Sequence, residues 1–262
     1  MSKVLLVGDL IVDDYRHFTA TRICPEAPAL ILKQTRNKYS TAGGAGLVEA
    51  QLKALGRDVL FIPVTISRKE RIFSDDRLML RIDTDADFVP PELELPDPTV
   101  NKFDAMVISD YGKGTVQHSE SLMEYAEKAN LPLFVDAKND WPKYDGAFAV
   151  FPNDQEIIRA TSVNLYKPKG FKNIIHKMGA KGCSVNGQLV PQTHPHAVRD
   201  VSGAGDVFMA GFIHWWLMMA PNSDPDTRLI RAAEFANHVA GISVEYVGTK
   251  VVSPDELYKD FL

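Results

Sequence analysis

Four short apolar runs constrain this chain most. Val4-Leu5-Leu6-Val7, Phe103 to Ser109, Pro132 to Val135 and Phe148 to Phe151 are nearly unbroken in Val, Ile, Leu, Phe, Ala and Met. A strand buried on both faces reads as such a run, whereas a strand with one wet face alternates apolar and polar residues. Each run stops at polar residues: Gly8-Asp9, Asp110, Asp136 and Pro152-Asn153. Helical patterns lie between or after them. Leu47, Val48, Leu52 and Leu55 form one stripe, in a helix opened by Thr41 to Gly46 and closed by Gly56 as its C-cap. Ser119 to Ala129 reads as an amphipathic helix capped by Ser119, and Arg228 to Tyr246 as a last long one. Strands alternating with helices predict an α/β fold, a mostly parallel sheet with helices on both faces. Such sheets bind ligands at the carboxyl ends of their strands.

The 262 residues show no repeat or interdomain linker, so one domain is expected over 1–262. A net charge of -5 excludes the basic footprint of a nucleic-acid binder. Cys24 and Cys183 stand far apart without metal-type spacing, which predicts free thiols and a cytoplasmic location. Phe208 to Ala220 is the most apolar stretch. It is too short to span a bilayer, so no membrane partner is expected.

Tyr15 to Ser40 is rich in β-branched and aromatic residues and broken by Pro25 and Pro28. It predicts two or three antiparallel strands leaving the main sheet, either a flap over a small substrate or a dimer surface. Asp58 to Thr65 and Arg77 to Ile82 read as further strands, with a charged stretch from Ser67 to Arg71 between them. Asp9 and Asp13 flank the end of the first strand and suit sugar hydroxyls, while Asp14 reads as a solvated face.

The chemistry concentrates in Arg199 to Phe208, a loop entering a buried helix after a Pro- and His-containing segment, Pro191 to His196. The glycines of Gly203-Ala204-Gly205 let a backbone approach a ligand closely. Free amides at a helix start gather around an anion. Asp206, in the first helical turn, could accept a hydroxyl proton beside those amides. Taken alone, Ser202 or Asp206 could equally be a cap. Lys113, in Asp110-Tyr111-Gly112-Lys113-Gly114, could neutralise a phosphate or be a solvated loop lysine. Asn153 and Glu156, three apart at a helix start, could face a hydrated Mg²⁺, although spacing alone favours an Asn cap with a Glu partner. Neither a dinucleotide nor a P-loop fingerprint occurs.

Taken in order, several motifs together resemble the ribokinase-like carbohydrate kinases over nearly the whole chain. They are Val7-Gly8-Asp9 with Asp13, Arg22 to Pro28, Gly43-Gly44-Ala45, Ser109 to Gly114, Val135-Asp136-Ala137-Lys138, Pro152-Asn153 with Glu156, and Asp200 to Asp206. Within that family the pattern is most similar to the kinase domain of the heptose-7-phosphate kinase/adenylyltransferases. The resemblance implies a three-layer α/β/α fold with a small β lid at about 13–40 and 77–84. It implies ATP and Mg²⁺ as cofactors and a sugar or sugar phosphate, such as heptose 7-phosphate, as acceptor. A homodimer through the lid also follows.

By the same resemblance Asp206 is the catalytic base and Gly203, Ala204 and Gly205 form the anion hole. Asp9, Asp13, Gly43, Gly44, Asp110 and Lys113 contact the acceptor. Asn153 and Glu156 organise Mg²⁺ through water. With Lys177, Gly179, Gly182, Asn237 and Gly241 they also hold the nucleotide. Two departures favour a competing reading, a catalytically impaired or regulatory relative that only binds nucleotide or sugar phosphate. Leu47 stands where the family has a sugar-contacting Asn, and the stretch from Gly56 to Arg81 is short, as if a helix and a strand were missing. No H-x-G-H occurs, so the adenylyltransferase partner is not expected here.

Overall fold

The computed structural model describes residues 2–75, 77–139, 141–162, 171–193 and 197–258. The sequence-predicted loop Pro191 to His196 therefore lies partly outside the described residues. The chain runs β1 (Lys3–Ile23), β2 (Leu30–Gln34), β3 (Tyr39–Gly44), α1 (Ala45–Ala54), β4 (Asp58–Ser74) and β5 (Arg77–Thr84). Then follow β6 (Ala105–Asp110), α2 (Ser119–Lys128), β7 (Leu133–Ala137), β8 (Ala149–Val150), α3 (Asp154–Ser162) and β9 (Ile175–Lys177). The chain continues with β10 (Cys183–Val185), β11 (Gln188–Val190), α4 (Ala204–Met218), α5 (Pro225–Ser243) and α6 (Pro254–Tyr258).

The main sheet has the order β5-β4-β1-β6-β7-β8, with β2 and β3 paired to β1, and a smaller antiparallel sheet has the order β11-β10-β9. The four apolar runs lie in β1, β6, β7 and β8, and within the runs every strand pairing is parallel, as predicted; β2 and β3, the antiparallel partners of β1, join it beyond its run. Period-two alternation divides each strand between two cores. Val4 and Leu6 face α1, α4 and α5, with Leu52, Phe212 and Ala236. Leu5 and Val7 face α2, with Leu122, Tyr125 and Trp141. Helices therefore cover both faces and give three layers.

The edge beyond the core differs from the sequence reading. Gly8-Asp9 does not end β1; it marks a register shift, after which β1 continues to Ile23 beside β4. Gly8 lies against the Ser109 carbonyl of β6, and Asp9 finds its partners inside the protein, so the strand need not leave the sheet. Asp58 to Thr65 and the charged Ser67 to Arg71 fuse into β4, parallel to β1 over its whole length. No helix or strand intervenes between α1 and β4. The shortened stretch thus leaves one continuous strand running from the core into the extension formed by β1, β2, β3 and β5.

Smaller corrections have local causes. α1 starts at Ala45, not Thr41, because Tyr39–Gly44 pairs with β1 as β3. Ser119 is not a cap, since a 3-10 turn over Thr115–His118 leads into α2. α5 begins at Pro225, where the Asp224 carboxylate accepts the Thr227 amide at 2.8 Å. Asp14 is fully buried rather than solvated. Lys38, Ser40 and Arg68 surround its carboxylate. Burial alone would raise its pKa, but these partners hold it down at about 2.

Candidate active site

The carboxyl ends of β6, β7, β8 and β9 and the start of α4 open onto one cleft of about 760 Å³. Its lining includes Tyr111 after β6, Lys138 after β7, Asn153 after β8 and Lys177 at the end of β9. Gly203, Ala204 and Gly205 close one end; Asn237 and Gly241 of α5 line another part, with Gly179 and Gly182. The residues assigned to nucleotide and anion binding are thus brought together, except Glu156 and Asp206, which lie buried behind the surface.

Gly203 is the N-cap of α4, in the left-handed region at φ 77. A side chain there would strike Leu47. Asp200 shapes the approach: its carboxylate accepts the Ser202 amide at 2.9 Å and the Gly248 amide at 2.8 Å. Burial would raise the Asp200 pKa, but these amides hold it low. The Ala204 amide is engaged by the Val201 carbonyl at 3.2 Å. The Gly203, Gly205 and Asp206 amides have no hydrogen-bond partner among the described residues. That leaves the orphan donors of a helix start facing the cleft end.

Asp206 is 2% exposed. Tyr111 donates its phenol to the carboxylate, with Oη 2.8 Å from Oδ1 and 2.7 Å from Oδ2. Burial lifts the Asp206 pKa and the Asp136 charge adds to this; Lys138, the Tyr111 hydrogen bond and Lys177 oppose it, leaving about 6. The Tyr111 phenol is pushed well above its ordinary value by burial and by the Asp206 and Asp136 charges, so it stays protonated. Lys177 pairs with Asp136 Oδ2 at 2.6 Å. Lys138 lies 3.6 Å from Glu156 and 4.7 Å from the centroid of the Tyr111 ring. Burial disfavours its charge, but Asp136, Asp206 and Glu156 raise its pKa. Two cations thus sit among three carboxylates.

Asn153 and Glu156 form the reciprocal box that spacing favours. The Glu156 amide donates to Asn153 Oδ1 at 2.9 Å, and the Asn153 amide to Glu156 Oε2 at 2.8 Å. Among the described residues no group of three or more His, Cys, Asp or Glu forms a metal cage. One buried carboxylate oxygen, Asp136 Oδ1, has no hydrogen-bond partner. An unpartnered buried carboxylate oxygen fits an ion that keeps most of its waters and phosphate ligands, as Mg²⁺ does.

The residues assigned to the acceptor divide. Asp13, Gly43 and Gly44 meet where β1, β3 and α1 join, and Gly43 lacks a side chain where Asp13 Oδ2 lies. Asp9 and Asp110 are engaged within the protein. Asp9 accepts five hydrogen bonds, from Thr65 and Thr115 hydroxyls and from the amides of Tyr111, Lys113 and Thr115. It ties the 111–115 loop to the strand. Asp110 accepts from the Gly112 amide and the Tyr144 phenol, both at 2.8 Å. Lys113 reaches Asp85 at 2.7 Å. Leu47 is 1% exposed and packs with Val207, Phe235 and Val239.

Sequence reasoning gave no role to Tyr111, Asp136, Lys138 or Asp200, although all stood inside quoted motifs. Arg71 stood only as the end of a charged stretch. It pairs with Asp13, lies over the Tyr15 ring and is close enough to Asp200 to interact with its charge. The signal that could have found Asp136 and Lys138 was their place at the carboxyl end of a buried strand.

The pattern of sheet, cleft and helix start is that of a ribokinase-like kinase. The chain is similar to Arabidopsis thaliana ribokinase complexed with ribose and ATP, with a TM-score of 0.70 at 16% identity over 99% of this chain and 98% of that one. It is also similar to ligand-free nucleoside kinase from Burkholderia thailandensis, with a TM-score of 0.69 at 17% identity over 99% and 100%. Residues 78–256 match the pfkB family carbohydrate kinase signature, and the chain belongs to that family. Among curated relatives it is 31% identical to the bifunctional protein HldE of Campylobacter jejuni over 97% of this chain and 64% of that protein. HldE of Desulfatibacillum aliphaticivorans is 30% identical over 97% and 62%. The chain therefore spans less than two thirds of the length of these relatives. No helix among the described residues is long and apolar enough to cross a membrane.

Proposed function

We propose that this carbohydrate kinase transfers the γ-phosphoryl group of ATP to a hydroxyl of a sugar phosphate, with Asp206 as base. The observation that carries the reading is a buried carboxylate in the first turn of α4, beside amides without partners among the described residues, at one end of the cleft. The nucleotide lies along Asn237, Gly241, Gly179 and Gly182, with its phosphates toward Lys177 and Gly203 to Gly205. As the acceptor oxygen bonds to the γ-phosphorus, its proton passes to Asp206 and ADP leaves. The Gly203, Gly205 and Asp206 amides hold the charge on the transferring group, so the chain contributes positioning and electrostatics. Mg²⁺, when bound, neutralises phosphate charge; Asn153 and Glu156 through water, and Asp136 Oδ1, are the groups that would hold it.

The acceptor lies against Asp13, Gly43 and Gly44. Lys69 and Arg71 pair in register with Asp13 and Tyr15, placing two cations on that side of the sheet. This supports an acceptor carrying its own negative charge, and heptose 7-phosphate is the first candidate. Leu78, Leu80 and Ile82 of the edge strand β5 are 53%, 53% and 42% exposed, which supports a second copy of the chain covering this edge. The test is ³¹P NMR of the product from ATP, Mg²⁺ and a panel of free sugars and sugar phosphates. A new phosphate ester on a phosphorylated sugar is expected; transfer to unphosphorylated sugars alone would overturn the acceptor class.

A further inference from the structure

The base is already occupied. The Tyr111 hydroxyl lies 2.8 and 2.7 Å from the two oxygens of Asp206. That is the distance at which a base takes a proton from a reacting hydroxyl. Tyr111 is not held there by its own loop alone. Its amide is fixed by Asp9 Oδ2 at 2.8 Å, and the next amide, Gly112, by Asp110 at 2.8 Å. The backbone is therefore pinned, whereas the side chain is held by the Asp206 hydrogen bonds and by Lys138 over its ring. Its ring lines the cleft, so there is open volume beside it.

An ionised carboxylate next to a phosphoryl-binding helix start has a hazard. Water can reach it, lose a proton to it and attack the γ-phosphorus, hydrolysing ATP without an acceptor. Resting on the reading of Asp206 as base, we infer that the Tyr111 hydroxyl holds the place of the acceptor hydroxyl and keeps water off Asp206 until an acceptor displaces it. The phenol serves because its proton stays on oxygen: it donates to the carboxylate but does not give the proton up. The acceptor takes over the same hydrogen bond, so the exchange conserves one donor on the carboxylate.

The test compares wild type with Tyr111→Phe, using ATP·Mg²⁺ with and without heptose 7-phosphate. Without acceptor, Tyr111→Phe hydrolyses ATP about tenfold faster than wild type, the size of one lost hydrogen bond to a charged group. A purely structural tyrosine gives no such gain, and unchanged or slower hydrolysis by a folded Tyr111→Phe overturns the inference. If wild type itself transfers phosphate to no acceptor, the reading of Asp206 fails instead, and the two failures are told apart. A second measurement needs no variant. In a crystal of wild type with a non-hydrolysable ATP analogue and heptose 7-phosphate, the Tyr111 side chain is expected to have turned away, with an acceptor oxygen on Asp206. Tyr111 still seated on both Asp206 oxygens with the acceptor bound overturns the inference.

Discussion

Leu47 occupies the space that a side chain at Gly203 would need. The contact joins α1 to the start of α4 and fixes where the unpartnered amides sit. Gly203→Ala adds a methyl group against Leu47 and forces it into the left-handed region. A loss of about 1–3 kcal/mol in stability is expected, with transfer falling further than stability alone explains. Denaturant titration beside turnover measures both.

The same contact decides what Leu47→Asn does. If position 47 faced the acceptor, the amide would lower KM. Because Leu47 is buried among Val207, Phe235 and Val239, the change leaves an unpaired amide in a core. It is expected to cost about 2–4 kcal/mol and to leave KM for the acceptor no better. Thermal melting and acceptor titration check it.

Asp9→Ala separates a loop tether from a sugar contact. Removing the carboxylate leaves the amides of Tyr111, Lys113 and Thr115 without their acceptor. A destabilisation of about 3 kcal/mol or more is expected, with faster hydrogen exchange at those amides. A raised KM with unchanged stability and exchange would instead make Asp9 a substrate ligand.

The pH dependence follows from Asp206, whose pKa rises from 3.8 to about 6. Transfer needs the carboxylate, so kcat/KM falls as pH drops through about 6. Lys138 is the strongest group holding that pKa down. In Lys138→Met the acid limb moves to higher pH; a limb that does not move would detach it from Asp206. Stability runs the other way. The folded pKa lies above the unfolded one, so the folded chain binds more protons in that window and loses stability as pH rises through it.

Much of the core was legible because it is local. Unbroken apolar runs mark strands buried on both faces, and the Gly203 to Asp206 turn carries its own signal in glycines before a long apolar helix. What was not legible depends on distant partners. Gly8-Asp9 looks like a stop, yet Asp9 is satisfied by Thr65, Tyr111 and Thr115, which are 56, 102 and 106 residues away. Asp14 looks solvated because nothing beside it in sequence announces Arg68. Tyr111 meets Asp206 across 95 residues, and only the parallel sheet order brings them together.

The most direct measurement compares Asp206→Asn with wild type, by ADP release with ATP·Mg²⁺ and heptose 7-phosphate and by denaturant unfolding at neutral pH. The variant is expected to lose about 10²–10⁴-fold in kcat/KM. It is also expected to gain up to about 3 kcal/mol in stability, because a buried charge is gone. Equal turnover by the two proteins would contradict the assignment of Asp206 as the base.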